Sequence, residues 1–273
     1  MCDKEKTSIG IDSLPLSVAI ITKNEEERLP ECLASVSMAA EVVVVDSGSV
    51  DRTVEIAQTF GAWAYHEQWL GFGRQKQKAI DYCTQPLVLV LDADERVTPE
   101  LADEIARILA GSTATAAWSM PRMTFFYGHW LRHAGWWPDR VIRLFRRGTA
   151  RMSERMVHES LIVDGAVAEL RSPLLHFTHR DLAQTLAKIN RYSTAGAEEL
   201  VRRWVRGSVV KAVVRAGWAF INSYFLRAGL LDGGPGLVQV MTNTVNTLFK
   251  YLNLRELQKD SLLLGDRHGR GGV

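Results

Sequence analysis

Cysteine is scarce in this chain. Cys2, Cys32 and Cys83 stand far apart, with no CxxC pair among them. That argues against a disulfide framework and a thiolate metal site, and it suits a reducing compartment. Long apolar runs are missing too. No stretch reaches the roughly 18 residues expected of a membrane span. The longest charge-free run, residues 233–249, carries GGPG and several Gln, Asn and Thr, so no transmembrane helix is expected. The opening residues MCDKEKTSIGIDS have no apolar core and do not read as a secretory signal. GxGxxG and the Walker A lysine motif are both absent, which argues against a dinucleotide oxidoreductase or a P-loop NTPase. A large charge of one sign is missing as well: the net charge of +2 points to no nucleic acid partner.

What remains is ordinary globular composition, 47% hydrophobic and 23% charged over 273 residues, enough for one large α/β domain with an extension. The basic residues are unevenly spread. Arg140, Arg143, Arg146, Arg147, Arg151 and Arg155 meet one acid, Glu154, and residues 181–255 are also rich in Lys and Arg. Both excesses favour an anionic partner over a merely solvated face.

Short β-branched runs at residues 16–22 (LSVAIIT), 41–47 (EVVVVDS) and 86–94 (PLVLVLDAD), with AWAYHE between the last two, read as buried strands. Helical segments separate them. Asn24 and Glu27 stand at capping-box spacing before the first, Gly61 closes the second, and Thr98 with Pro99 opens the one that ends at Gly111. Alternation of this kind predicts an α/β fold with a Rossmann-like, mostly parallel sheet, whose ligands bind beyond the carboxyl ends of the strands.

Acidic residues collect at those ends: Glu25, then Asp46 and Asp51, then Asp92 and Asp94. Two carboxylates about 4 Å apart repel by roughly 4 kcal/mol at an effective dielectric of 20. A DxD at a strand end therefore calls for a proton, a basic side chain or a divalent cation; a solvated strand-to-helix loop would look similar in sequence. Beyond Gly111, residues 117–148 mix strand-like pieces with a loop dense in aromatics, His and Arg. Trp136 and Trp137 could stack on sugar rings, and Arg140 and Arg143 could bind phosphate or carboxylate; the tryptophans could equally be core anchors. LLHFTH (174–179) returns to the sheet, and His176 and His179 could add to a metal or phosphate site. Residues 181–258 read as helices broken at DGGPG. In the last of these Leu237, Met241, Val245, Leu248 and Leu252 share one face, opposite Gln239, Asn243, Asn246 and Lys250.

SVAIITKNEEERLPECLASV, EVVVVDSGSVDRTVEIA and VLVLDADE, in this order, resemble the donor half of inverting glycosyltransferases of family 2, which have the GT-A fold. WWPDRVIRLFRRGTARMSERMVHE and FLRAGLLDGGPGLVQVMTNTVNTLFKYLNL are similar to a narrower group, the bacterial lipopolysaccharide core β-1,4-glucosyltransferases. The resemblance implies transfer of a hexose, glucose from UDP-glucose, to an inner-core heptose, with Mg²⁺ or Mn²⁺ as cofactor. It also implies site residues. Glu25, Asp46, Asp51 and Asp92 hold the nucleotide sugar and Asp94 the metal. Glu159 is the catalytic base, with Asp139 as runner-up. Ser47 stands where the family pattern has a second aspartate.

The expected organisation is a catalytic domain over 14–180, with a nucleotide-sugar half (14–111) and an acceptor half (112–180). A helical extension (181–260) and a flexible tail (261–273) follow. The expected partners are a nucleotide-sugar donor, a lipid-linked core oligosaccharide and an anionic membrane surface, on which the protein would sit peripherally at the cytoplasmic side. A nucleotidyltransferase also uses paired aspartates and metal below a parallel sheet, and would release pyrophosphate. A non-catalytic saccharide-binding module on a degenerate transferase would bind without turnover.

Overall fold

The computed structural model describes residues 13–111, 114–153, 160–178 and 182–268, the backbone alone for 182 and 260–268. The chain divides into two units: Met1–Arg122 with Arg140–His176, and Met123–Asp139 with Phe177–Val273. The helical extension expected from residue 181 thus belongs to a unit that also takes in the aromatic segment 123–139.

In the first unit the four apolar runs become β1 (Leu14–Thr22), β2 (Ala39–Asp46), β3 (Trp63–His66) and β4 (Leu87–Asp92), parallel in the order β3-β2-β1-β4. Their side chains alternate between two cores, as a strand buried on both faces requires. Leu16, Val18, Ile20, Val44, Leu87, Leu89 and Leu91 enter one core, against Leu29 and Leu33 of α1 (Leu29–Ala34), Ala57 of α2 (Thr53–Thr59) and Leu101 and Ile105. Ala19, Ile21, Val43, Val45, Val88 and Val90 enter the other, against Ala79 and Ile80 of α3 (Phe72–Asp81).

β5 (Glu95–Val97) and α4 (Pro99–Ala110) follow. Thr98 caps α4 as expected, its Oγ1 accepting from Leu101 N at 3.2 Å. α1 departs from expectation. Asn24 adopts φ +55° and its Oδ1 accepts from Val50 N at 2.9 Å, so it ties two loops together and the helix begins at Leu29, beside Pro30.

The sheet continues through β6 (Ala117–Phe126), β7 (His129–Leu131) and β8 (Asp139–Arg146), then β9 (Ala150–Met152), β10 (Leu161–Val163), β11 (Val167–Glu169) and β12 (Leu174–Phe177). β9 and β10 form their own hairpin-like pair. Beyond the parallel part the order is β4-β8-β6-β12-β5, with β8 antiparallel to β4 and β12 antiparallel to β5. The fold is therefore α/β, with antiparallel strands added beside the four parallel ones.

The second unit carries α5 (Leu182–Arg202), α6 (Val209–Ile221), a π turn (Asn222–Leu226), a 3₁₀ turn (Gly229–Asp232) and α7 (Gly233–His268). The break falls at Gly233, φ +62°, between the 3₁₀ turn and α7, and in the first turn of α7 a side chain at Gly236 would run into the carbonyl of Gly229. α7 extends through the first part of the expected tail; residues 269–273 lie outside the described set. Its expected stripe holds only in part: Leu248 and Leu252 pack against the cluster of Tyr251 and Leu254, whereas Leu237 and Met241 are exposed and Val240 and Gln239 are buried. Among the described residues no helix is long and apolar enough to cross a membrane.

Candidate functional site

The parallel register brings the acidic strand ends to one edge of the first unit. Asp46 stands opposite Thr22, and Asp92 opposite Ile21 on the other side of the same strand. The loops that follow β1 and β2 are knitted together. Asn24 N donates to Ser49 Oγ at 2.8 Å and Glu25 N to Thr53 Oγ1 at 2.8 Å. Asp46 shapes the second loop: its Oδ2 accepts from Gly48 N and Ser49 N at 2.9 and 2.8 Å, and its Oδ1 from the Thr22 and Ser49 hydroxyls. Ser47 donates from its hydroxyl to Thr22 O at 3.0 Å, so the position where the family pattern has aspartate closes onto β1. Asp51 accepts from Glu26 N at 3.2 Å and from Thr53 N at 3.0 Å. Slight burial pushes its carboxyl up, but the hydrogen bonds from Thr53 and Glu26 bring it below the usual range.

The repulsion expected of the DxD is met by basic side chains. Lys76 Nζ of α3 lies 2.7 Å from Asp92 Oδ1, and Arg143 Nη2 of β8 lies 2.8 Å from Asp92 Oδ2. The same Nη2 is 2.7 Å from Glu95 Oε1, and Arg122 is 3.5 Å from that oxygen. Glu95, fully buried, accepts from Asp92 N at 3.0 Å through its other oxygen. Burial pushes the Asp92 carboxyl up, but the charges of Lys76 and Arg143 outweigh it and hold the group well below the carboxylate range.

Asp94 is held more loosely. Its Oδ2 lies 3.4 Å from His176 Nε2 and 3.5 Å from Arg28 Nη1. Burial raises its pKa; the hydrogen bond and charge of His176, with Arg28, lower it further than that. His176 reaches this position because β12 pairs with β5, setting His176 opposite Glu95.

Arg143, expected at an acceptor, is given instead to Asp92 and Glu95, with its Nε buried and unpaired. Arg140 lies on the same strand with Nη2 3.2 Å from Glu169 and Nη1 donating to Leu170 O. Trp136, Trp137 and Asp139 belong to the second unit. There the loop is tied down by Asp232, which accepts from the backbone N–H of Arg132 and His133 and lies 2.8 Å from His133 Nδ1. Glu159 and His179 lie outside the described residues.

Lys76, Arg28 and Glu95 were not singled out from sequence. Lys76 had a signal: it falls on the inward stripe of α3 with Gly73, Ala79 and Ile80, where a lysine needs a carboxylate.

The Arg143 cluster makes a stability prediction. Arg143→Met leaves Asp92 and Glu95 facing each other with one cation fewer, a loss of about 3–5 kcal/mol for a broken buried pair. Asp92 is depressed in the folded state, so its pairing stabilises above the unfolded aspartate value of about 3.9 and is lost as pH falls through the native value. Urea denaturation should show a lower midpoint for the variant at pH 7, and a gap to wild type that narrows below about pH 4. Equal midpoints at pH 7 would remove the cluster from the account of stability.

The family model described as "Glycosyl transferase family 2" matches residues 17–171. The lipopolysaccharide core biosynthesis glycosyltransferase LpsC of Rhizobium meliloti (strain 1021) is 34% identical over 247 residues, covering 86% of this chain and 90% of the relative. Among solved structures, S. aureus TarS 1–349 in complex with UDP-GlcNAc aligns with a TM-score of 0.48 at 14% identity, covering 91% of each chain. Glucosyl-3-phosphoglycerate synthase from Mycobacterium tuberculosis, in complex with Mg²⁺ and UDP, aligns with a TM-score of 0.43 at 17% identity, over 63% of this chain and 74% of that one. With its four parallel strands and the acidic edge at their carboxyl ends, the chain has the GT-A fold and belongs to glycosyl transferase family 2.

Proposed function

We propose that the chain transfers a hexose, glucose from UDP-glucose, to a heptose of the lipopolysaccharide inner core by single displacement with inversion. The reaction takes place at the cytoplasmic face of the membrane. The observation that carries this reading is Asp94 at the carboxyl edge of the parallel strands, with His176 3.4 Å away and Asp92 already neutralised by Lys76 and Arg143. The name of the LpsC relative supports the acceptor class.

Two donors about 2.1 Å from one ion lie about 3 Å apart when adjacent, so the Asp94–His176 spacing fits a divalent cation. Mg²⁺ or Mn²⁺ keeps water and takes substrate phosphate beside one or two protein ligands, and Asp94 with His176 would be those ligands. Bound there, the ion would stabilise charge on the departing nucleoside diphosphate.

The protein's own residues do the rest. Glu25, Asp46, Asp51 and Asp92 line the nucleotide side. Trp136, Trp137 and Arg140 receive the acceptor sugar. Glu159 takes the proton of the attacking hydroxyl, and Asp139 is the alternative base. In domain terms, 14–180 would carry catalysis and 181–260 the extension.

The test is a screen of nucleotide sugars against deacylated core oligosaccharide, with mass and linkage analysis. A β-linked hexose on heptose with release of UDP is expected. Release of pyrophosphate, or binding without turnover for every donor, would overturn the reading.

A further inference from the structure

α6 turns its small residues inward and its large ones outward. Ala212 and Ala216 are buried, whereas Val210, Val213, Val214, Trp218, Ile221 and, in the π turn, Phe225 are exposed, Val210 by 74%. At 100° per residue these positions form one continuous stripe. In sequence the helix is preceded by Trp204, 92% exposed, and followed by Leu226, 66% exposed, and Leu231, 63% exposed. Single exposed apolar residues need no explanation, but a contiguous stripe of this kind marks an interaction surface.

Charge and length select the partner. No acid occurs between Glu199 and Asp232, while Arg206, Lys211, Arg215 and Arg227 all fall there. A second copy meeting this stripe through its own α6 would bring Lys211 and Arg215 against like charges, since α6 itself carries no acid. An anionic headgroup layer complements them. A 13-residue helix is about 20 Å long, short of the roughly 30 Å hydrocarbon core, so it lies in the plane of the surface and does not cross it.

We propose that the outward stripe of α6, flanked by Trp204 and Leu226, inserts in-plane at the boundary between headgroups and acyl chains of an anionic bilayer. This deepens the reading above, which places a lipid-linked acceptor at such a surface, and rests on it only for that setting. The anchor is apolar first and basic second. Arg202 and Arg203, part of the Lys- and Arg-rich stretch 181–255, pair with Glu199 at 3.0 and 2.9 Å.

The test is co-sedimentation of the full chain with phosphatidylcholine vesicles, with and without phosphatidylglycerol, at low and high salt. Wild type should bind the anionic vesicles and keep part of that binding in high salt. Val214→Asp with Trp218→Asp should weaken it at least about tenfold, the scale of one large apolar side chain returned to water. Both sites are exposed, so the variant should keep its thermal unfolding midpoint and its transfer to a water-soluble, delipidated acceptor. Wild-type vesicle binding by the double variant would overturn the proposal. So would complete loss of wild-type binding in salt, or a self-associated wild type that ignores vesicles and becomes monomeric in the variant. Inactivity of wild type on every acceptor, with vesicle binding intact, would instead strike the proposed function alone.

Discussion

Asp94→Asn should fold as wild type and lose turnover by about 10³-fold, the several kcal/mol that a divalent ion contributes at a transferring centre. The loss follows from the asymmetry within the DxD. Both Asp92 oxygens are taken, by Lys76 at 2.7 Å and by Arg143 at 2.8 Å, so that residue is already neutralised. The nearest Asp94 partners lie at 3.4 and 3.5 Å, longer than a well-formed charged hydrogen bond. An amide at 94 is a poor ligand for a hard cation, and the neighbouring carboxylates Asp92 and Glu95 are already held by Lys76 and Arg143. Titrating Mn²⁺ into wild type should produce activity that saturates; in the variant the response should be weak and shifted to higher concentration. Binding of Mn²⁺ with UDP, followed by calorimetry, gives a readout independent of turnover. Full turnover by the variant in EDTA would remove Asp94 from the metal site.

The parallel strands were legible in sequence because their signals are local. β1, β2 and β4 are continuous apolar runs, and such strands have one stable use, buried on both faces between helices. The acids that follow them fall at one edge simply because the strands are parallel. What escaped depends on distant partners. Glu95–Val97 is too short to read as a strand, and it is one only because Leu174–His176 lies against it; the same pairing puts His176 beside Asp94. Asn24 and Glu27 matched a capping box, but the Asn24 side chain is taken by a backbone N–H in the next loop. Arg143 looked like an acceptor residue among many arginines, and only the antiparallel pairing of β8 with β4 reveals that it serves the DxD. The α7 stripe was legible only in its second half, where Leu248 and Leu252 pack inward; at its start Gly236 and Val240 are the buried positions, with Gly236 close against the carbonyl of Gly229.

Glu159→Gln should reduce turnover by roughly 10²- to 10⁴-fold, the usual contribution of a positioned base. Glutamine keeps the size and hydrogen bonding of glutamate but cannot take a proton, so UDP-sugar affinity should stay nearly unchanged and the loss should fall on kcat. In the proposed reaction one carboxylate would suffice, because an ion at the DxD would stabilise the departing UDP and make a separate acid unnecessary. Direct attack by the heptose hydroxyl would then invert the anomeric centre, and an α-linked donor would yield a β-linked product. Asp139→Asn is the parallel control, since Asp139 opens β8 immediately after the loop carrying Trp136 and Trp137. The wild-type kcat profile should fall on the acid side as the base takes up a proton, and Glu159→Gln should lose that limb while Asp139→Asn retains it. If Asp139→Asn abolishes turnover and Glu159→Gln works normally, Asp139 is the base. An α-linked product has a larger consequence, because no single displacement from an α-linked donor can produce it whichever carboxylate takes the proton.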